Sequence, residues 1–463
     1  MTSIPEPEPS GFRIDMLWND ARYRSSFLQI VALVLLMLGV GWLLNNTIQN
    51  LEALGQDFNF NFLFSTASYD INQKLISYDS TDDHWRAAAV GMLNTLLVAF
   101  MGCVACTVIG VIAGVLRLSK NWVISGLMAV YIELVRNVPL LLQILLCYAI
   151  FIETLPNPRA FRGDEPVATL WFDAIAATNR GFYMPRPVFE QGSMLLGLVF
   201  LLSIGLLIGW SKLQKAYQAR SGRELPLVGE GLAVLAAGVF GLGLGYALFP
   251  AAGQGTFEML AWGAAALSLG GGLAWLFFTL RGLSLKLGIL FLPTVAAYFY
   301  LGEPISWIMP ELRGFNFVGG EDGAIHARNS LMALWLALSI YTGAFVAEIV
   351  RGGIQAVSKG QTEAAAALGL RPNRIMSLVI LPQALRIIIP PQISQYLNLT
   401  KNSSLAIAVG YMDVTGTLGG ITLNQTGRAL ECILLLMAFY LTISLSISAV
   451  INWYNERVKL KER

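Results

Sequence analysis

Lys401, Asn402, Ser403 and Ser404 put a cation, an amide and two hydroxyls in four consecutive positions of an otherwise apolar run. Hydrocarbon does not tolerate such a group, so it must face a bundle interior, a wet path or another subunit. Two readings fit it. The quartet lines a path for a zwitterionic solute, with Lys401 opposite a carboxylate, or it hydrogen-bonds neighbouring helices while Lys401 snorkels to the interface. Asn94, Thr95 and Gln143 also stand in apolar runs, and either line the same path or tie helices together. Glu133 and Arg136, three apart on one helix face, are expected to pair near the cytoplasmic membrane boundary. Pro139 follows them and should bend or break that helix. Glu348 and Glu431 fall at span ends and receive no task.

Other reactive residues form no constellation. Cys103 and Cys106 make a CxxC with no second pair, and Cys147 and Cys432 also lie in apolar runs, so all four read as small core residues and no metal is expected. The two histidines, His84 and His326, read as outer and isolated. No Gly-rich loop ending in Gly-Lys-Ser/Thr occurs, so the chain is not expected to hold a nucleotide or to be an enzyme. Nucleic acid is not an expected partner.

The elements that must carry these residues are membrane helices. Of the 463 residues 55% are hydrophobic and only 13% charged, against about 25% charged in a soluble domain, and the mean hydropathy is +0.60. The expected fold is all-α and integral to the membrane, with about ten transmembrane helices. The spans start near Phe27, Ala88, Val123, Met194, Gly231, Phe257, Lys286, Arg328, Ile387 and Arg428. An N-terminus inside the cell puts most of the 31 Lys and Arg on the cytoplasmic side, including Arg13, Arg117, Lys212, Arg351, Arg371 and Arg457. Both termini are then cytoplasmic, Leu155 to Pro187 is outside and Lys212 to Pro226 inside. "MTSIPEPEPS" lacks the order of a cleavable leader, so the first span is expected to remain as an anchor.

With this topology "EAAAALGLRPNRIMSLVILP" (363–382) is a cytoplasmic loop between the eighth and ninth spans. Ser358 and Gln361 suggest a capping box. A first helix should run to about Leu368, and Gly369 should take the left-handed conformation that closes it. Pro372 should open a second helix ending near Pro382. Leu368, Leu370, Ile375, Leu378 and Val379 are more apolar surface than a solvated loop needs, so some must pack on the membrane helices or on another protein.

Glu363, Ala364, Ala365, Gly369, Leu381 and Pro382 resemble, in order and spacing, the EAA loop of ABC importer permeases, with Val379 where that family usually has isoleucine. "GMLNTLLVAF" (91–100), "YIELVRNVPLLLQ" (131–143) and "LNLTKNSSLAIAVGYMDV" (397–414) extend the resemblance to the five-helix, MetI-like core of the polar amino acid permeases. The long permeases of general L-amino acid or glutamate/glutamine/aspartate/asparagine importers also share the N-terminal anchor and the "LISYDSTD"-type outer segment. The resemblance implies a subunit of an ATP-driven amino acid importer in the bacterial inner membrane. Its loop would dock on an ATP-binding cassette subunit, which holds ATP and Mg. A second permease subunit, as a heterodimer, a periplasmic amino acid-binding protein and membrane lipid are the other implied partners.

The corresponding organisation is a cytoplasmic tail at 1–26 and an anchor with an outer segment at 27–87. The core occupies 88–152 and 328–452, with its coupling loop at 349–386. An insert with about four extra spans fills 153–327, and a tail closes the chain at 453–463. A competing class is an ion-coupled secondary transporter of polar solutes using Glu133, Glu348 or Glu431. It has no use for the cytoplasmic loop, and a membrane scaffold explains neither loop nor polar quartet.

Overall fold

The structure, a computed structural model, describes residues 18, 21–53, 57–162, 166–190, 192–221, 294–295, 297–302, 304–320 and 323–458. Among them, five helices are long and apolar enough to cross a membrane: Tyr23–Asn50, His84–Arg117, Asn329–Gln355, Pro372–Val409 and Ala429–Trp453. Trp122–Asn137 and Leu140–Thr154 make a sixth if their bent pair is one span. The helices are α1 (Ala21–Ala53), α2 (His84–Arg117), α3 (Trp122–Asn137), α4 (Leu140–Thr154), α5 (Ser193–Ser221), α6 (Asn329–Gln355), α7 (Lys359–Ala367), α8 (Leu381–Asn402) and α9 (Ala429–Val458). The expected starts near Phe27, Ala88, Arg328 and Arg428 fall at or close to the beginnings of α1, α2, α6 and α9. The start near Met194 falls on α5, while those near Gly231, Phe257 and Lys286 lie outside the described residues.

Two compact units form. The first comprises residues up to Tyr148 and from Ser330 onward. In it, α2 and α6 approach so closely that a Cβ on Gly110 would lie 2.5 Å from the Val346 Cβ. Small residues are the way membrane helices gain contact where water gives no hydrophobic drive between them. Ala113, Ile132 and Ala347 bury together beside this contact, with Met128 and Tyr131 against them. Residues 57–83 cap the start of α2. Asp83 accepts from the Arg86 N–H at 2.8 Å, which opens the helix. His84 is engaged rather than isolated: its Nδ1 and the Tyr69 hydroxyl meet the Thr422 Oγ1 at 3.2 and 3.1 Å.

The second unit, Ala149–Asn329, corrects the all-α expectation, since it carries seven short strands among its described residues. They are β1 (Ala176–Thr178), β2 (Gly181–Met184), β3 (Arg186–Phe189), β4 (Ile305–Ile308), β5 (Leu312–Arg313), β6 (Asn316–Phe317) and β7 (Ile325–Ala327). Their pairings, β1–β2–β7, β3–β4 and β5–β6, are all antiparallel. Strands of two to four residues show too little alternation to register as a period in sequence. Ala176, Tyr183, Phe317 and Ala324 form their core. His326 stacks on Tyr183 at 4.3 Å, so this histidine is not alone either.

Candidate functional site

The loop at 356–371 folds as an elbow. Ser358 is the N-cap of α7, but its side chain accepts no cap hydrogen bond, so the expected capping box does not form. The Ser358 carbonyl instead accepts from the Gln361 N–H at 3.1 Å. At the other end the expectation holds. Gly369 has φ +79°. The Leu370 N–H reaches the Ala365 carbonyl at 3.3 Å and the Gly369 N–H reaches that of Ala366 at 2.9 Å. Those two crossed bonds are a Schellman closure, which satisfies the last carbonyls of α7.

The second arm differs from expectation. A helical turn at Pro372–Ile375 passes through a π turn at Met376–Ile380 directly into α8, so the helix does not stop near Pro382 and the span begins at Pro372 rather than Ile387. Pro382 lacks an N–H and its ring would crowd the carbonyl four residues back; the wider π turn just before it relieves that clash. Ala365 and Ile375 are buried on the inner side of the elbow, with Leu370 and Val379 half-buried. Glu363, Ala364, Gly369, Leu378, Leu381 and Pro382 are exposed, and Leu368 is 83% exposed.

The polar residues divide. Lys401 is exposed near the end of α8, and Asn402 and Ser404 are half-buried. Ser403 is buried and donates to the Thr400 carbonyl at 2.7 Å. Asn94 and Thr95 are fully buried. The Asn94 side-chain amide donates to the carbonyls of Gln73 (2.7 Å) and Met412 (2.9 Å), and the Asn94 backbone carbonyl accepts from the Tyr411 hydroxyl at 3.1 Å. Thr95 Oγ1 accepts from the Val414 N–H at 3.1 Å. Asn94 and Thr95 therefore fasten residues 411–414 to α2. A cavity of about 410 Å³ adjoins this joint, lined among others by Ile407, Tyr411, Met412, Asn424 and Gln425.

Gln143 has a third task. α3 and α4 bend by 105° at Pro139, where the missing N–H leaves the Val135 carbonyl without its helical donor. The Gln143 Nε2 supplies it at 2.8 Å and also reaches the Val138 carbonyl at 2.9 Å.

Glu133 and Arg136 do not pair. Both are exposed, and the Arg136 guanidinium lies 4.9 Å from the centre of the Phe345 ring. The aromatic face on α6 offers the cation a partner that the neighbouring carboxylate does not. The ionic contacts of this region centre on Glu348 instead, which pairs with Arg351 and lies 3.9 Å from Arg117. Glu431 is buried and meets Arg428 at 3.2 Å.

Asp413 escaped the sequence reading, although it sits in the quoted 397–414 stretch. It is fully buried outside the spans, its Oδ1 accepts from the Gly416 N–H at 2.8 Å, and burial pushes its carboxyl up to about 6. One acidic residue in "GYMDV" gives no sign of burial until residues 411–417 fold against α2.

A family model shows what kind of chain carries these features. The model described as the inner membrane component of binding-protein-dependent transport systems matches residues 107–460. The chain belongs to this family. It is thus a multi-pass membrane transport component. It is 48% identical, over all of both chains, to the glutamate/glutamine/aspartate/asparagine transport system permease protein BztB of Rhodobacter capsulatus. Over 98% of this chain and 97% of the relative, it is 38% identical to the general L-amino acid transport system permease protein AapQ of Rhizobium johnstonii. The putative amino-acid ABC transporter permease protein YhdX of Escherichia coli is 39% identical over 95% of each. Among solved structures, the crystal structure of an amino acid ABC transporter with histidines is similar over 81% of this chain and 95% of that one, at 17% identity and a TM-score of 0.40.

Proposed function

We propose that this permease translocates amino acids as the membrane subunit of an ATP-driven importer, and that the elbow is its contact with a separate ATP-binding subunit. The observation that carries the reading is the outward face of α7 and its closure, where Glu363, Ala364 and the side chain of Leu368 are exposed among the described residues. A buried back and a bare apolar front are what a docking helix requires. ATP and Mg belong to that partner. A periplasmic binding protein delivers the solute, and a second permease, in a heterodimer, completes the path. The solutes in this reading are polar, acidic or amide L-amino acids, or a broad L-amino acid range, supported by relatives named for glutamate/glutamine/aspartate/asparagine and general L-amino acid transport.

The solute path in this reading runs by Lys401, Asn402 and Ser404 and the adjoining cavity, with Ser403, Asn94, Thr95 and Gln143 holding the walls. The domain boundaries given above, ten spans and cytoplasmic termini complete it. α5 and the span expected to start near Lys286 are then two of the inserted spans, and the strands lie outside. The ion-coupled alternative is weakened because Glu348 and Glu431 are each already paired with arginine.

Reconstitution with the ATPase and binding protein tests the docking assignment. Glu363→Lys reverses the charge on the exposed face. Gly369→Val forces a β-branched residue to positive φ, at about 1–2 kcal/mol. Both should lower transport and solute-stimulated ATP hydrolysis while the chain stays in the membrane. Wild-type rates in either assembled variant would refute the assignment.

A further inference from the structure

Beyond its root, the ribbon formed by β3 and β4 has a face that nothing among the described residues of its unit covers. In its register Pro187 stands opposite Trp307 and Phe189 opposite Ile305, so these four share one face. Met309, two residues beyond Trp307, continues it. The other face carries Arg186, Val188, Ser306 and Ile308. Phe189, Trp307 and Met309 are 69%, 55% and 53% exposed, which is a large apolar area to leave in water.

The root of the ribbon shows what covers it. Ile305 packs on Leu196, Val199 and Ala297, the buried contact between the start of α5 and the helical residues 297–300. Phe189 lies only just before Ser193, where α5 begins as an apolar helix over Ser193–Gly205. The uncovered face therefore continues the surface of a helix pair whose apolar side chains, among them Met194 and Leu201, are themselves exposed. Two residues along a strand span about 7 Å, and each headgroup layer of a bilayer is about 5–8 Å thick. Trp307 thus stands within one headgroup layer of the helix ends, the depth at which tryptophan is enriched.

We propose that the Phe189–Trp307–Met309 face lies in the outer headgroup layer and anchors the ribbon to the lipid surface. A water-soluble partner would have to displace lipid from a face that continues directly from the hydrocarbon-facing helices. The inference rests on the reading that α5 crosses the membrane.

The test uses the full chain in its assembled complex in proteoliposomes, with Cys103, Cys106, Cys147 and Cys432 replaced by alanine. Single cysteines from Trp307→Cys, Met309→Cys, Ser306→Cys and Leu201→Cys carry a fluorophore. Quenchers are phospholipids spin-labelled near the headgroup or mid-chain, and aqueous iodide. The headgroup label should quench positions 307 and 309 at least about twofold more than 306, and iodide should favour 306. Equal access of iodide to 306, 307 and 309 overturns the proposal. So does protection of 307 and 309 from both quenchers, which would mean that protein covers the face. Position 201 separates the two readings: if the mid-chain label quenches 201 while lipid leaves 307 and 309 untouched, the ribbon proposal alone falls. If 201 escapes the mid-chain label, α5 does not span and both fall. Should Trp307→Cys fail to assemble, Met309→Cys decides.

Discussion

The elbow at 358–371 and the joint at 403–417 are built from the same local parts and end in opposite states. Each follows a helix that closes on a left-handed glycine, Gly369 at φ +79° and Gly410 at φ +68°. On either side of Gly369 the chain presents Glu363, Leu368 and Leu378 outward. Beyond Gly410 it turns inward, so that Tyr411, Asp413, Val414 and Thr417 are buried and tied to α2. The difference lies in whether a neighbouring helix supplies donors and acceptors. α2 offers Asn94 and Thr95 to the joint, whereas most of the elbow's α7 has only its own backbone. A closed joint contributes to the fold of this chain, and an open elbow is left for another subunit.

The sharpest way to break this comparison is to unfasten the joint. Asn94→Leu removes the amide that donates to the half-buried carbonyls of Gln73 and Met412, which should cost about 1–3 kcal/mol. Melting temperature and the yield of folded chain should both fall clearly. If Asn94→Leu melts like wild type and alters only uptake, Asn94 belongs to the solute path and the joint is not structural.

Lys401→Met asks the converse at an exposed position. Lys401 forms no ion pair among the described residues, so melting should move little, by about 0.5 kcal/mol or less. Uptake of labelled amino acids into proteoliposomes should change in rate or selectivity by severalfold. An unchanged uptake profile in a well-assembled complex removes Lys401 from the path.

The smallest effect concerns Asp413. Its carboxyl is raised in the folded chain, so the native state binds more protons than the unfolded one, and folding stability should decline as pH rises from about 4 through about 6. Asp413→Asn should flatten that decline and leave the variant at least as stable as wild type at pH 7, as read by thermal unfolding across that range. A wild-type slope retained in Asp413→Asn would show that another group titrates there.

Several of these features were legible in the residues themselves. Long apolar runs specify spanning helices because lipid gives the backbone no other partner. Gly369 and Pro372 specify an elbow because one tolerates positive φ and the other needs no N–H donor. The EAA-type order of Glu363, Gly369 and Pro382 also pointed to the family, since a docking element is local in sequence.

What only the tertiary structure decided depended on atoms far apart along the chain. That Arg136 takes Phe345 rather than Glu133, and that Asn94 meets Met412, follows from helix packing that no local spacing encodes. The role of Gln143 lay between these cases: Pro139 announces a bend, but only the folded bend puts the Gln143 amide on the Val135 carbonyl. Asp413 is the clearest instance, because a carboxylate's burial is a property of what packs around it, and residues 411–417 acquire that surrounding only against α2.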